Sequence, residues 1–200
     1  MSKTKVSLLL LAGGRGERMG GKDKGLLTLR SSTFIERLLK RFLPHFNETL
    51  ISANRNLDEY QRIAALWRAR VLEDESDDFV GPLAGILQGL KASCSDWLLV
   101  LPCDAQALPD NLLARFHQCS EQAGVRAVFA SACGSDQPVV CLLQRNLLPQ
   151  LEAAFDAGER SVIRWLQSVN AARCEFGDEL PAAGWSVNEP ADLEAVAQLV

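Results

Sequence analysis

Short apolar runs alternate with amphipathic stretches along this 200-residue chain, a pattern that predicts a mostly parallel sheet covered on both faces by helices. Val6–Leu11 opens the series as a buried strand. Thr33 followed by Glu36 predicts a capping box, after which Phe34, Ile35, Leu38, Leu39 and Phe42 share one helical stripe that Pro44 stops. Residues 49–53 read as the second strand, Leu57–Trp67 as a helix and Arg70–Glu73 as a short third strand. Gly81-Pro82 then opens a helix over 83–90.

Residues 97–101 form a continuous apolar run, as expected of a strand covered on both faces and therefore central in its sheet. It runs into Pro102-Cys103-Asp104. Pro109 marks the next helix start, with Leu112, Leu113 and Phe116 behind it, and 126–130 and 139–143 read as two further strands. Residues 147–155 and 161–166 look helical, and Ala172–Phe176 looks like an edge strand. The closing helix, Pro190–Leu199, is expected to be capped near Asn188. Without repeat, low-complexity tract or linker, the pattern predicts a single domain over 1–200.

Composition narrows the function classes. With 48% hydrophobic and 23% charged residues, 14 Gly and 8 Pro, the chain is ordinary for a globular protein, and its net charge of -4 offers no electrostatic footprint for duplex nucleic acid or an anionic membrane. The six cysteines are expected to be buried, reduced thiols, because a chain this rich in core residues needs no disulfide framework. His45 and His117 lie far apart without cysteines at ligand spacing, which disfavours zinc. The first apolar run is shorter than the roughly 7–15 residues of a signal peptide's apolar region. Nothing approaches the roughly 18 apolar residues of a membrane span, so a cytoplasmic protein is expected.

The chemistry concentrates in residues 11–25, where six glycines in fifteen positions follow directly on a strand. Such a segment brings backbone N–H groups close to a ligand and forms an anion-binding concavity, which Arg15, Arg18, Lys22 and Lys24 can line with positive charge. Gly14, Gly16 and Gly20 are spaced one residue too long for the dinucleotide fingerprint. Gly16 with Gly21-Lys22 has Walker A spacing, but Asp23 stands where a magnesium-binding hydroxyl is needed. A nucleotide phosphate loop outside both motifs is expected. Asp104, at the carboxyl end of a buried strand, is a lone carboxylate placed to hold magnesium against phosphates; a turn or helix-cap role is its alternative. Of the four tryptophans, only Trp185 looks loop-borne, and core packing is the default for the others.

Leu11-Ala12-Gly13-Gly14, Arg18-Met19-Gly20 and Asp23-Lys24-Gly25 resemble the signature loop of the nucleotidyltransferase superfamily, and most closely that of the molybdenum cofactor guanylyltransferases. Asn54-Arg55, Glu73-Asp74, the Gly81 to Ile86 segment, Pro102-Cys103-Asp104, the Gly158 to Val162 segment and the Asn188 to Leu193 segment follow the same family's pattern in order. The resemblance covers nearly the whole chain.

It implies a three-layer, Rossmann-like α/β nucleotidyltransferase fold and transfer of GMP from GTP to molybdopterin with release of pyrophosphate. It further implies that Leu11, Ala12, Gly13, Lys24, Asn54, Asp74 and Asp104 bind GTP, that Asp104 holds Mg2+, and that Asp104, Lys24 and Arg18 act in the transfer. Asn188 resembles the family position that returns to the metal region, with an N-cap as its alternative. For Asn54 and Asp74, residue type alone favours turn formation. A monomer with transient contacts to other cofactor-biosynthesis proteins and molybdoenzymes is the family default.

Two departures stand out. Gln106 replaces a proline common in relatives two positions after the Cys-Asp pair, which leaves the shape of the following loop open. Ser186-Val187-Asn188 replaces a common Asn-x-Asn, which leaves the first position's role open. A sister transferase using CTP or a sugar phosphate, and a non-catalytic nucleotide-binding module, are the remaining readings.

Overall fold

A computed structural model describes residues 5–12, 23–73, 81–177 and 185–199. Seven strands form one sheet: β1 (Val6–Leu11), β4 (Glu48–Ala53), β5 (Arg70–Glu73), β6 (Trp97–Pro102), β7 (Ala127–Ala132), β8 (Ser135–Gln144) and β9 (Ala172–Phe176). Their spatial order is β5-β4-β1-β6-β8-β7-β9. Only β8 runs against the rest, pairing antiparallel with β6 and β7. A small separate hairpin joins β2 (Thr28–Leu29) to β3 (Ser32–Thr33).

Strand alternation divides the core in two. Leu8 and Leu10 of β1, with Leu99 and Leu101 of β6, face a layer formed by α1 (Phe34–Phe42), α2 (Leu57–Trp67) and α4 (Leu112–Ala123). Leu9, Leu98 and Val100 face the opposite layer, formed by α3 (Pro82–Ala92), α5 (Leu148–Asp156) and α6 (Val162–Ser168). Because β1 and β6 are covered on both faces, their sequences read as apolar runs, interrupted in β1 only by the buried Ser7. In a third, smaller cluster, Leu29 and Phe34 pack with Val187 and with Val196 of α7 (Pro190–Leu199), which docks the end of the chain beside the start of α1.

The capping box is present: Thr33 Oγ1 accepts from the Glu36 N–H, and Glu36 Oε2 accepts from the Thr33 N–H at 2.8 Å. All five residues of the α1 stripe are buried.

Four expectations need correcting. Pro109 does not begin a helix; its carbonyl accepts from the Leu112 N–H at 3.1 Å, and α4 starts only at Leu112. Asn188 does not cap α7 with its side chain: its Oδ1 accepts from Lys24 Nζ at 3.0 Å, while the Asp192 carboxylate, inside the helix, reaches back to the N–H groups of Asn188 and Glu189 at 2.7 and 2.9 Å. Burial of the cysteines holds for Cys103, Cys141 and Cys174, whereas Cys119 and Cys133 are half-buried and Cys94 is exposed. Trp185, loop-borne by sequence, is 1% exposed and packs against Phe176, so it belongs to the core.

Candidate active site

Parallel pairing aligns the carboxyl ends of β4, β1 and β6, so the residues that follow them meet at one sheet edge. The meeting is fixed by backbone bonds beyond the strands. Cys103 donates to the Leu11 carbonyl at 2.9 Å, and Ala12 donates to the Ser52 carbonyl at 2.8 Å. Leu11 and Ala12, the residues that lead into the glycine-rich segment in sequence, are thus held between the two neighbouring strands.

Asp104 stands just past β6 with 8% of its surface exposed. Its Oδ2 accepts from Lys24 Nζ at 2.7 Å and from Ser186 Oγ at 3.2 Å. Lys24 also donates to the Val187 carbonyl at 2.8 Å and to Asn188 Oδ1 at 3.0 Å. Asn188 Nδ2 donates in turn to Ser186 Oγ at 3.1 Å, and the Val187 N–H donates to the Asp104 carbonyl at 3.1 Å. Residues far apart in sequence therefore share one polar cluster. Ser186, the departure from Asn-x-Asn, keeps a hydrogen-bonding role at the carboxylate.

Asp23, which breaks the Walker pattern, has a structural role. Nine-tenths buried, it accepts from the Gly25 N–H at 3.1 Å, Tyr60 Oη at 2.7 Å and Asn56 Nδ2 at 2.9 Å, with Arg55 Nε at 3.5 Å. It thereby ties the end of the loop to the turn after β4 and to α2. Burial first, then the negative charge available to Cys103 and Asp23, pushes the Tyr60 hydroxyl well above its ordinary range, so it remains a donor. This anchoring role escaped the sequence reading, although a carboxylate next to a candidate phosphate-binding lysine was its signal.

Gln106 organises the loop that the sequence left open. Its Nε2 donates to the Cys103 carbonyl at 2.8 Å and to the Phe34 carbonyl at 3.3 Å, while its Oε1 accepts from Arg37 Nε at 3.2 Å. The loop after Asp104 is thus stitched to α1. Asn54 is half-buried beyond β4, and its Oδ1 is buried without a hydrogen-bond partner among the described residues. Gly13 and Asp74, expected to bind GTP, and Arg18, expected to act in the transfer, lie outside the described residues, as do Arg15 and Lys22.

The other motifs form a second group. In the 158–162 segment Glu159 accepts from the Ser161 and Arg160 N–H groups at 2.7 and 2.8 Å and from Arg164 Nη2 at 2.9 Å, bonds that hold its carboxyl below the usual range. Gly81, at the start of α3, lies beside the Arg160 carbonyl. Gly85 packs so tightly that a Cβ there would stand 2.7 Å from Ser52 Oγ, which assigns the small residues of this helix to close sheet packing.

Among the described residues no three His, Cys, Asp or Glu side chains gather as metal ligands. The oxygen set of Asp104 Oδ2, Asn188 Oδ1 and the Val187 carbonyl nevertheless suits a hard divalent cation, and magnesium is ordinarily held by one or two carboxylates with phosphates and water completing its shell. The cluster can neutralise a triphosphate and orient it.

A profile of the MobA-like NTP transferase domain matches residues 8–171. A molybdenum cofactor guanylyltransferase of Burkholderia ambifaria (strain MC40-6) is 42% identical over 198 residues, 96% of each chain. Among solved structures, the molybdopterin-guanine dinucleotide biosynthesis protein A of Archaeoglobus fulgidus superposes with a TM-score of 0.74 at 21% identity, covering 96% of this chain and 97% of that one. Rv0371c of Mycobacterium tuberculosis, in a complex with manganese, superposes with a TM-score of 0.70 at 14% identity over 98% and 100% of the two chains.

Proposed function

The chain belongs to the MobA-like NTP transferase family, and from that membership as a nucleotidyltransferase we propose that it transfers GMP from GTP to molybdopterin, releasing pyrophosphate. The observation that carries this reading is the 42% identity to a molybdenum cofactor guanylyltransferase over 96% of both chains. The cluster of Lys24, Asp104 and Asn188 at the sheet edge supports it from the side of chemistry.

Nucleotidyl transfer needs positioning and charge neutralisation more than covalent catalysis. Asp104 and Asn188 are the residues that hold Mg2+ in this reading; the ion, when bound, neutralises charge on the triphosphate. Lys24 supplies a compact positive charge for phosphate oxygens, and Arg18 adds a second. Leu11, Ala12 and Gly13 bring backbone N–H groups to the nucleotide, while Asn54 and Asp74 address its ribose or base. The acceptor phosphate attacks in line, so no side chain need form a covalent intermediate.

Residues 1–200 act as one domain in this reading, supported by β9, which lies beyond the matched residues 8–171 yet pairs with β7 in the common sheet. Among the described residues no helix is long and apolar enough to cross a membrane. A cytoplasmic monomer that meets other cofactor-biosynthesis proteins and molybdoenzymes transiently completes the proposal.

Thermal unfolding with GTP, CTP, ATP and UTP, with and without magnesium, tests nucleotide choice, since a ligand of the native state raises its apparent stability. Selective protection by Mg-GTP, followed by GTP- and molybdopterin-dependent pyrophosphate release, is expected. Preference for CTP or UTP would move the chemistry to a sister transferase, and protection by no nucleotide would overturn the reading.

A further inference from the structure

Lys24 spends its whole donor capacity inside the site. An ammonium carries three hydrogens, and three oxygens receive them: Asp104 Oδ2 at 2.7 Å, the Val187 carbonyl at 2.8 Å and Asn188 Oδ1 at 3.0 Å. They come from the end of β6 and from the segment leading into α7. Ser186 Oγ braces two of them, donating to Asp104 and accepting from Asn188. A carboxylate, a carbonyl and an amide oxygen arranged about one positive charge form a cation cage.

These are also the oxygens that suit a divalent cation. An ammonium and a divalent ion cannot both sit on Asp104 Oδ2, because they compete for the same lone pairs and repel at contact distance. Lys24 held in the cage is, for the same reason, not donating to phosphate.

We infer that Lys24 and the divalent cation occupy this one cage in alternation: the ammonium fills it in the nucleotide-free protein, and the phosphates of the incoming nucleotide draw Lys24 away and open the cage to the metal. The inference rests on the nucleotidyltransferase reading for the nucleotide, but the cage itself exists without one. Its consequence is an order of binding. The metal enters with the nucleotide and is excluded before it, so Asp104 is kept neutralised throughout.

Mn2+ binding to the full chain, followed by the loss of the free-ion electron paramagnetic resonance signal, tests the exchange without any turnover. Wild type is expected to bind Mn2+ weakly alone and more tightly with GTP. Lys24→Met, which removes the charge and keeps the length, is expected to bind Mn2+ alone about tenfold or more tightly than wild type, with the enhancement by GTP reduced. Lys24→Gln serves if the methionine variant does not fold. Adding Asp104→Asn to either variant is expected to abolish the gain. Lys40→Met, an exposed lysine of α1, serves as the control for charge acting at a distance and is expected to leave Mn2+ binding unchanged.

Unchanged Mn2+ affinity in both Lys24 variants would overturn the exchange. So would a gain that survives Asp104→Asn, or an equal gain from Lys40→Met. GTP-dependent pyrophosphate release by wild type with no effect of Lys24 on Mn2+ would refute the exchange and leave the proposed function standing. A Lys24-dependent Mn2+ site in a protein that no nucleotide protects would do the reverse.

Discussion

Tyr60 and Gly25 meet across Asp23: the phenol that donates to Asp23 Oδ1 at 2.7 Å also fills the space where a Cβ on residue 25 would stand. A hydrogen bond and a close approach are therefore one feature of the site. The Asp23-Lys24-Gly25 motif needs its glycine because α2 presses a hydroxyl against it.

Gly25→Ala is accordingly expected to destabilise the fold by about 1–3 kcal/mol through overpacking. Tyr60→Phe alone is expected to cost about 1 kcal/mol, the net worth of the lost bond to Asp23. Because the methyl group and the hydroxyl compete for one space, the double variant should be less destabilised than the sum of the two. Urea denaturation of the four proteins measures the coupling, and strict additivity would refute the contact.

Asp104→Ala is expected to abolish magnesium-dependent nucleotidyl transfer while leaving the fold intact. Lys24 retains the Val187 carbonyl and Asn188 Oδ1 as acceptors and is itself part-exposed, so no isolated ammonium is left buried. The check is activity beside far-UV circular dichroism. Unchanged activity would remove Asp104 from the reaction.

Gln106→Leu is expected to leave the Cys103 and Phe34 carbonyls and Arg37 Nε without the partners that now join the loop to α1. The loss should amount to about 1–3 kcal/mol of stability. Because Cys103 directly precedes Asp104, turnover should fall as well. Gln106→Glu, which keeps an acceptor for Arg37 but sets a carboxylate oxygen against the Cys103 and Phe34 carbonyls, should be destabilised as well, so paired denaturation and activity measurements that find it equal to wild type would refute the donor role of Nε2.

Much of this architecture was legible in the chain because local signals and burial agree there. The Val6–Leu11, Leu57–Trp67 and Arg70–Glu73 elements stand where the apolar pattern places them. The pattern gave way where long-range contacts decide. The strands read at 126–130 and 139–143 extend into a tight hairpin through Cys133 and Gly134, both at positive φ, a turn that a Cys-Gly pair advertises poorly. Pro138 falls in the irregular stretch of that pairing, between Gln137 opposite Ala130 and Cys141 opposite Phe129, where a residue without an N–H is tolerated. Asn188 looked like a cap because it precedes Pro190, but its side-chain oxygen is taken by Lys24, and Asp192 inside the helix reaches back to the Asn188 N–H instead. Asp23 was hidden for a related reason. Its partners Asn56 and Tyr60 lie on the far side of β4, and no short motif encodes them.

The buried thiols predict an alkaline limit to stability. Burial pushes the Cys141 thiol well above its ordinary value, and burial together with the neighbouring Cys119 pushes Cys174 up to about 12. In the unfolded chain both would ionise near pH 8.5. A group whose folded value is raised holds its proton in the native state after the unfolded state has released it. Its contribution is therefore fully present below the unfolded value and is lost as pH rises toward the folded one. Unfolding free energy from urea titrations should fall from about pH 8.5 upward. Cys141→Ala, which removes one titrating thiol at the cost of a small cavity, should start lower and fall less steeply with pH. An identical slope in wild type and variant would exclude Cys141 as a source of the alkaline loss.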